Sequence, residues 1–285
     1  MRTVTLKNGD KVPAIGLGTW MLGDSADSYE SEREALFAGI EAGCTLIDTA
    51  EMYGEGRSET LVGSVVAQSD RSQLYLVSKV LPSNAGRPHL RDRFYRSLER
   101  LHTDYLDLYL LHWYGSVPLS ETVEEMEKLV AEGTLKAWGV SNLDRTQMEE
   151  LWALPQGNNC LVNQVLYHVA SRGIEYDLVP AMREHHVTTM AYCPLAQGAT
   201  LRQGKGLFDD PLLRALGKKY DAAPSEVALA YIIRDGHTIA IPRSGKAVHT
   251  LSNAHGGRLE LSDDDYARIT ERFPAPNHPT PLDIQ

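Results

Sequence analysis

The chain has 285 residues and a formal net charge of −10, from 28 Lys and Arg against 38 Asp and Glu. Apolar residues make up 42 %, too many for a disordered chain at this charge, and the acidic balance lacks the basic footprint of a nucleic-acid binder. No window approaches the roughly 18 uninterrupted apolar residues of a membrane span, and Met1-Arg2-Thr3-Val4-Thr5 opens no signal peptide, so a cytoplasmic protein with neither membrane nor nucleic-acid partners is expected.

The chain begins as a hairpin. Arg2 to Leu6 alternates in part, Asn8-Gly9 supplies the pair that a type I′ turn prefers, and Lys11-Val12-Pro13 returns. Eight short apolar runs follow: Ala14–Leu17, Thr45–Ile47, Leu74–Ser78, Leu106–Leu111, Leu135–Val140, Leu161–Asn163, Thr188–Tyr192 and Thr238–Ile241. Helical spacing fills the intervals. Glu30–Ala42 carries a stripe of Ala35, Ala38 and Ala42; Pro88–Leu101 opens with Pro at N1 and puts Phe94, Leu98 and Leu101 on one face. Leu119–Ala131 takes Ser120 as its cap, Asp144–Leu154 takes Asp144, and Asp177–His185 and Pro224–Arg234 follow the same logic. The stretch Pro274–Gln285, with four prolines, reads as an irregular tail. Repeated βα units give a parallel sheet with right-handed crossovers, and eight of them close into a (β/α)8 barrel of about 250 residues. One α/β domain over 1–285 is expected. An open doubly wound sheet is the competitor, but its G-x-G-x-x-G is broken here by Gly16-Leu17-Gly18-Thr19-Trp20-Met21-Leu22-Gly23, where the third Gly is displaced.

In such a barrel the working residues sit at the C-terminal ends of the strands. Asp48 and then Tyr53 follow the second run, Lys79 ends the third and His112 ends the fourth; the steps from 48 to 79 and from 79 to 112 are 31 and 33 residues, one βα unit each. Taken singly, each residue has an ordinary use as a cap, a solvated charge or rim packing. Together they form a proton-delivery set. A phenol is too weak an acid at neutral pH. A neighbouring Lys79 would lower its pKa, Asp48 would balance the lysine, and His112 would orient a carbonyl oxygen. Ser141-Asn142 and Asn163-Gln164 end the next two runs, where amides and a hydroxyl could grip a carboxamide; Ser141-Asn142 could equally cap the helix that follows. Tyr192 offers a stacking face, and Arg243-Ser244-Gly245-Lys246 offers a phosphate site or a merely solvated face.

The sequence resembles the aldo-keto reductase family. Thr45-Leu46-Ile47-Asp48-Thr49-Ala50-Glu51-Met52-Tyr53-Gly54 is similar to its first signature, and Leu106–Trp113 to its fourth-strand signature. Gly139-Val140-Ser141-Asn142 and Ile241-Pro242-Arg243-Ser244 are similar to its cofactor segments, and the resemblance runs in order from about Val12 to Asn253. It implies an N-terminal hairpin under the barrel and NADPH-dependent reduction of a small-molecule carbonyl compound. By that resemblance Tyr53 is the general acid, tuned by Lys79 and Asp48, and His112 orients the substrate. Ser141, Asn142 and Gln164 hold the nicotinamide carboxamide, Tyr192 stacks on its ring, and Leu195, Gln197 and Gly198 cover the pyrophosphate. Gly18, Thr19 and Trp20 border the cofactor, and Trp20 and Trp113 wall the substrate pocket.

The adenosine end departs from the family pattern. Arg243 replaces a lysine, His249 an arginine, and Ser252-Asn253 a Glu-Asn pair. Arg243, Ser244, Lys246 and His249 still supply positive charge toward a 2′-phosphate, so NADPH is expected over NADH, although a neutral imidazole is a weaker phosphate partner than a guanidinium. Only twelve residues follow Phe273, which implies an open site and small or varied carbonyl substrates: methylglyoxal and other α-dicarbonyls, keto-sugars or aromatic aldehydes. The alternative is a cofactor-binding sensor or scaffold without turnover. A metal-dependent hydrolase would need more His and carboxylate groups at the strand ends than Asp48 and His112. Cys44, Cys160 and Cys193 are odd in number and widely spaced, giving neither a disulfide framework nor a metal site. The sequence carries no sign of oligomeric state.

Overall fold

The structure is a computed structural model that describes residues 1–199 and 206–284. In chain order its elements are β1 (Thr3–Thr5), β2 (Lys11–Pro13), β3 (Leu17–Gly18), α1 (Tyr29–Glu41), β4 (Leu46–Asp48), α2 (Arg57–Val66), β5 (Tyr75–Val80), α3 (His89–Arg100), β6 (Leu106–Leu111) and α4 (Leu119–Ala131). There follow β7 (Leu135–Ser141), α5 (Arg145–Trp152), β8 (Val162–Leu166), α6 (Leu178–Glu184), β9 (Thr188–Tyr192), α7 (Ala196–Ala199), α8 (Pro211–Tyr220), α9 (Pro224–Ile232), β10 (Thr238–Ala240), α10 (Ala247–Gly256) and α11 (Asp263–Arg272). Strands β3 to β10 pair in parallel and in chain order. Bridges from Ile15 to Ala240 and from Gly18 to Arg243 join the two ends, making a (β/α)8 barrel. No helix among the described residues is long and apolar enough to cross a membrane.

The strands read as continuous apolar runs because both of their faces are covered. Every residue of β5 (YLVSKV) and β6 (LDLYLL) is buried. Helix α3 buries one stripe, Leu90, Phe94 and Leu98, whereas α9 is buried at every position from Glu226 to Ile232. The hairpin closes the floor of the barrel. Lys7 Nζ donates to the carbonyl oxygens of Asn158 (2.6 Å) and His185 (3.2 Å), in loops that precede β8 and β9.

Several local expectations are corrected. The hairpin turn is not type I′: only Gly9 of the Asn8-Gly9 pair has positive φ (92°). The Leu6 carbonyl accepts from Gly9 N–H (2.9 Å) and Leu6 N–H donates to the Asp10 carbonyl (2.8 Å), a type I turn closed by a left-handed glycine. In α1 the buried positions are Glu32, Ala35, Leu36 and Gly39, with Ala38 and Ala42 only half-buried. Pro88 is the N-cap of α3 and Pro118 that of α4, so Ser120 lies inside its helix. Asp144 does cap α5, in a reciprocal box with Gln147.

Gly18 sits where β3 meets β10. A Cβ there would lie 2.6 Å from the Ile241 carbonyl oxygen, a backbone atom that cannot swing aside. Gly18→Ala is therefore expected to destabilise the protein by about 1–3 kcal/mol, read as a lower urea midpoint with an unchanged slope. Wild-type stability in that variant would show that the seam can widen freely.

Candidate active site

The C-terminal ends of the strands open into a cavity of about 950 Å³. Its lining includes Gly18, Thr19, Trp20, Asp48, Tyr53, His112, Trp113, Ser141, Asn142, Gln164, Tyr192, Leu195, Gln197, Arg243, His249 and Asn253. Of the sequence-predicted residues, Lys79, Ser244 and Lys246 lie outside that lining, Lys79 behind Tyr53. Lys246 is exposed at the N-cap of α10. The Ser244 hydroxyl is turned onto its own loop, donating to the Lys246 carbonyl (2.9 Å) and accepting from Lys246 N–H (3.1 Å). Gly198 lies within α7. The short-chain turn that fixes Ser244 is a local competition that residue spacing does not reveal.

Lys79 is the centre of the polar cluster. Its side chain is fully buried on β5, and its ammonium donates to Asp48 Oδ2 (2.8 Å), the Thr49 carbonyl (2.9 Å) and Tyr53 Oη (3.1 Å). All three ammonium hydrogens are thereby placed. Burial pulls the Lys79 pKa down, but the adjacent Asp48 carboxylate and Tyr53 more than offset it and the net shift is upward. The lysine is held as a cation.

Tyr53 follows a different balance from the one its neighbours imply. The Lys79 charge does favour the phenolate, but burial of the phenol outweighs it and Asp48 adds to the upward push. The net shift is therefore up, not down, and Tyr53 holds its proton at neutral pH. Because Tyr53 Oη accepts from Lys79, its own O–H remains to donate into the cavity.

His112 stands beside it, with ring centroids 5.7 Å apart and planes at 71°. Burial first, and then the Lys79 charge, push its pKa down to about 2. The ring is neutral. Its Nδ1 is buried without a hydrogen-bond partner. A buried orphan N–H costs more than a buried lone pair, so the proton belongs on Nε2, the nitrogen left to address the cavity. A linkage effect follows. The depressed folded pKa means that the unfolded chain takes up this proton first, so the stability is intact above the ordinary histidine value near pH 6.5 and is lost as pH falls below it. Between pH 7 and pH 5 this one group should remove about 2 kcal/mol. Urea titrations at the two pH values, with His112→Asn as the reference, measure it; equal slopes in both proteins would refute it.

The far side of the cavity carries amides. Asn142, in left-handed conformation (φ 57°), donates from Nδ2 to the His112 carbonyl (3.2 Å) and to Ser141 Oγ (3.1 Å). Ser141 Oγ donates to the Gln164 carbonyl (2.8 Å), and Tyr192 Oη donates to Asn142 Oδ1 (2.9 Å), which fixes the tyrosine ring. Gln164 Nε2 donates to Asp48 Oδ1 (2.7 Å), a contact that no spacing argument anticipates. Trp20 and Trp113 stand at the mouth, about two-fifths exposed at 41 % and 38 %. Arg243, in the loop after β10, and His249, on α10, also line the cavity.

This set has counterparts in known proteins. The family model described as the aldo/keto reductase family matches residues 14–272. Methylglyoxal reductase YeaE of Escherichia coli is 46 % identical over 278 residues, 97 % of each chain. Glyoxal reductase of Bacillus subtilis is 33 % identical over 269 residues, 94 % of this chain and 91 % of that one. An aldo/keto reductase from Klebsiella pneumoniae, solved with NADP and acetate, superposes with a TM-score of 0.96 at 45 % identity, covering 100 % of this chain and 99 % of that one. A further Klebsiella structure, with NADPH, also has a TM-score of 0.96 at 46 % identity and the same coverage. A barrel closed over a buried lysine and aspartate that meet a half-buried tyrosine, matched by that family model over nearly its whole length, places this chain in the aldo/keto reductase family.

Proposed function

We propose that this protein is an NADPH-dependent reductase of small aldehydes and α-dicarbonyl compounds, with Tyr53 as the proton donor. The observation that carries this reading is the Tyr53 phenol and the His112 imidazole side by side in the lining of one cavity, with the Lys79 ammonium behind the phenol. The names of the Escherichia coli and Bacillus subtilis relatives point to methylglyoxal and glyoxal, and the Klebsiella neighbours bind NADP and NADPH.

The residues fit such a cofactor. Amide and hydroxyl groups of Ser141, Asn142 and Gln164 suit a carboxamide, the anchored ring of Tyr192 suits a flat heterocycle, and Arg243 and His249, in the same lining, suit a phosphate. Gly18, Thr19, Leu195, Gln197 and Asn253 would line its path. Bound NADPH would supply the hydride. The protein does the rest. His112 Nε2–H and Tyr53 O–H converge on the carbonyl oxygen and polarise it. As negative charge grows there, Tyr53 releases its proton to that oxygen, and the Lys79 cation stabilises the phenolate left behind. Asp48 keeps Lys79 charged throughout.

The test is consumption of NADPH, with NADH in parallel, against methylglyoxal, an aromatic aldehyde and a keto-sugar. Turnover with NADPH and an α-dicarbonyl is expected. Equal use of NADH would remove the phosphate role of Arg243 and His249. Tight NADPH binding without turnover would favour a cofactor-binding sensor or scaffold.

A further inference from the structure

We infer that Gln164 is a positioning residue for proton transfer, holding the Asp48 carboxylate across the barrel so that Lys79 stays aimed at Tyr53. The inference rests on the reductase reading of the site.

Gln164 and Asp48 lie on β8 and β4, with β5, β6 and β7 between them, so their side chains meet across the barrel interior. Both residues are 2 % exposed. The contact is 2.7 Å. An ionised carboxylate only accepts hydrogen bonds, so the amide must present an N–H to it, and the Gln164 orientation is settled by its partner. The same Nε2 lies 2.9 Å from Met190 Sδ. The two Asp48 oxygens are thus divided: Oδ2 takes Lys79 and Oδ1 takes Gln164. With its second oxygen unclaimed, a buried carboxylate can rotate, and the ammonium would follow it away from the phenol.

The backbone of Gln164 extends the chain of contacts. Its carbonyl accepts from Ser141 Oγ (2.8 Å) and from Asn142 N–H (2.9 Å), and Asn142 accepts from Tyr192. The carboxamide seat and the proton donor are therefore parts of one hydrogen-bonded array. A side chain that only held the cofactor would have no need to spend a hydrogen on Asp48.

Two variants test this at saturating NADPH. Gln164→Met keeps the length and removes the donor; kcat should fall about tenfold, the worth of one charge-assisted hydrogen bond. Gln164→Glu can donate only while protonated. Its kcat relative to the wild type should be highest near about pH 5 and should fall toward about pH 8, as an ionised carboxylate comes to face Asp48. Wild-type kcat in Gln164→Met, with the loss confined to KM for NADPH, would overturn the inference. So would a pH-independent ratio for Gln164→Glu, which decides the matter alone if Gln164→Met does not fold. Absence of turnover in the wild type would overturn the reductase reading, and this inference with it.

Discussion

Tyr53→Phe is expected to lower kcat for carbonyl reduction by about 10²–10⁴-fold, the range for a lost general acid, and to leave the Kd for NADPH unchanged. The geometry explains the separation. Phenylalanine keeps the edge-on packing against His112 and the ring face that lies 4.8 Å from Lys79 Nζ. Lys79 loses one of its three acceptors but retains Asp48 and Thr49. The barrel and the amide side of the cavity have no reason to change, so only the transferred proton is missing. Stopped-flow reduction with one substrate, beside a fluorescence titration with NADPH, checks both halves. A variant that retained most of its rate would move the acid to another group, and His112, held neutral by burial, is badly placed to take the role.

Lys79→Met is expected to lose both activity and stability. Removing one partner of a buried ion pair costs about 3–5 kcal/mol because the other charge is left uncompensated. Here Asp48 would keep only Gln164 as a side-chain donor. For a chain of this size that loss lowers Tm on the order of 10 °C. Turnover falls by about 10²-fold or more because the phenolate that forms has no cation beside it. Adding Asp48→Asn should recover much of the stability, since an amide still accepts from Gln164 and no charge is stranded, while turnover stays as low as in Lys79→Met. Thermal unfolding of the wild type, Lys79→Met and the double variant separates the effects. A single variant as stable as the wild type would show that Asp48 does not stay charged when alone.

The alternation of strand and helix was legible because it is local. Runs such as Leu106–Leu111 and Thr188–Tyr192 match their strands residue for residue, and the position of Lys79 and His112 one βα unit apart followed from the same period. Five helices, α2, α7, α8, α10 and α11, went unread. Helix α2 starts from a left-handed Gly56 with no side-chain cap, and α10 starts from Lys246 without one. Helix α8 is capped by Asp210 and α11 by Ser262, both readable in principle. Two features of the site were beyond any spacing rule. The direction of the Tyr53 shift depends on how far burial exceeds the lysine field, a comparison of magnitudes that needs coordinates. The bond between Asp48 and Gln164 spans 116 residues and the interior of the barrel.

The seam of the barrel has a consequence of its own. Between β3 and β10 the ring is fastened by few backbone hydrogen bonds: Gly16 N–H to the Ala240 carbonyl, Ala240 N–H to that of Ala14, both 2.8 Å, and Gly18 N–H to that of Pro242 at 3.1 Å. These contacts join residues more than 220 positions apart, so the loop they close is long and kinetically unfavoured. The same stretch, from Gly18 to Arg243, is cavity wall. The last stave of the cask is also the cradle. A molecule lying against both lips of that joint acts as the hoop, and tightness of grip and rigidity of the vessel become one free energy read in two ways.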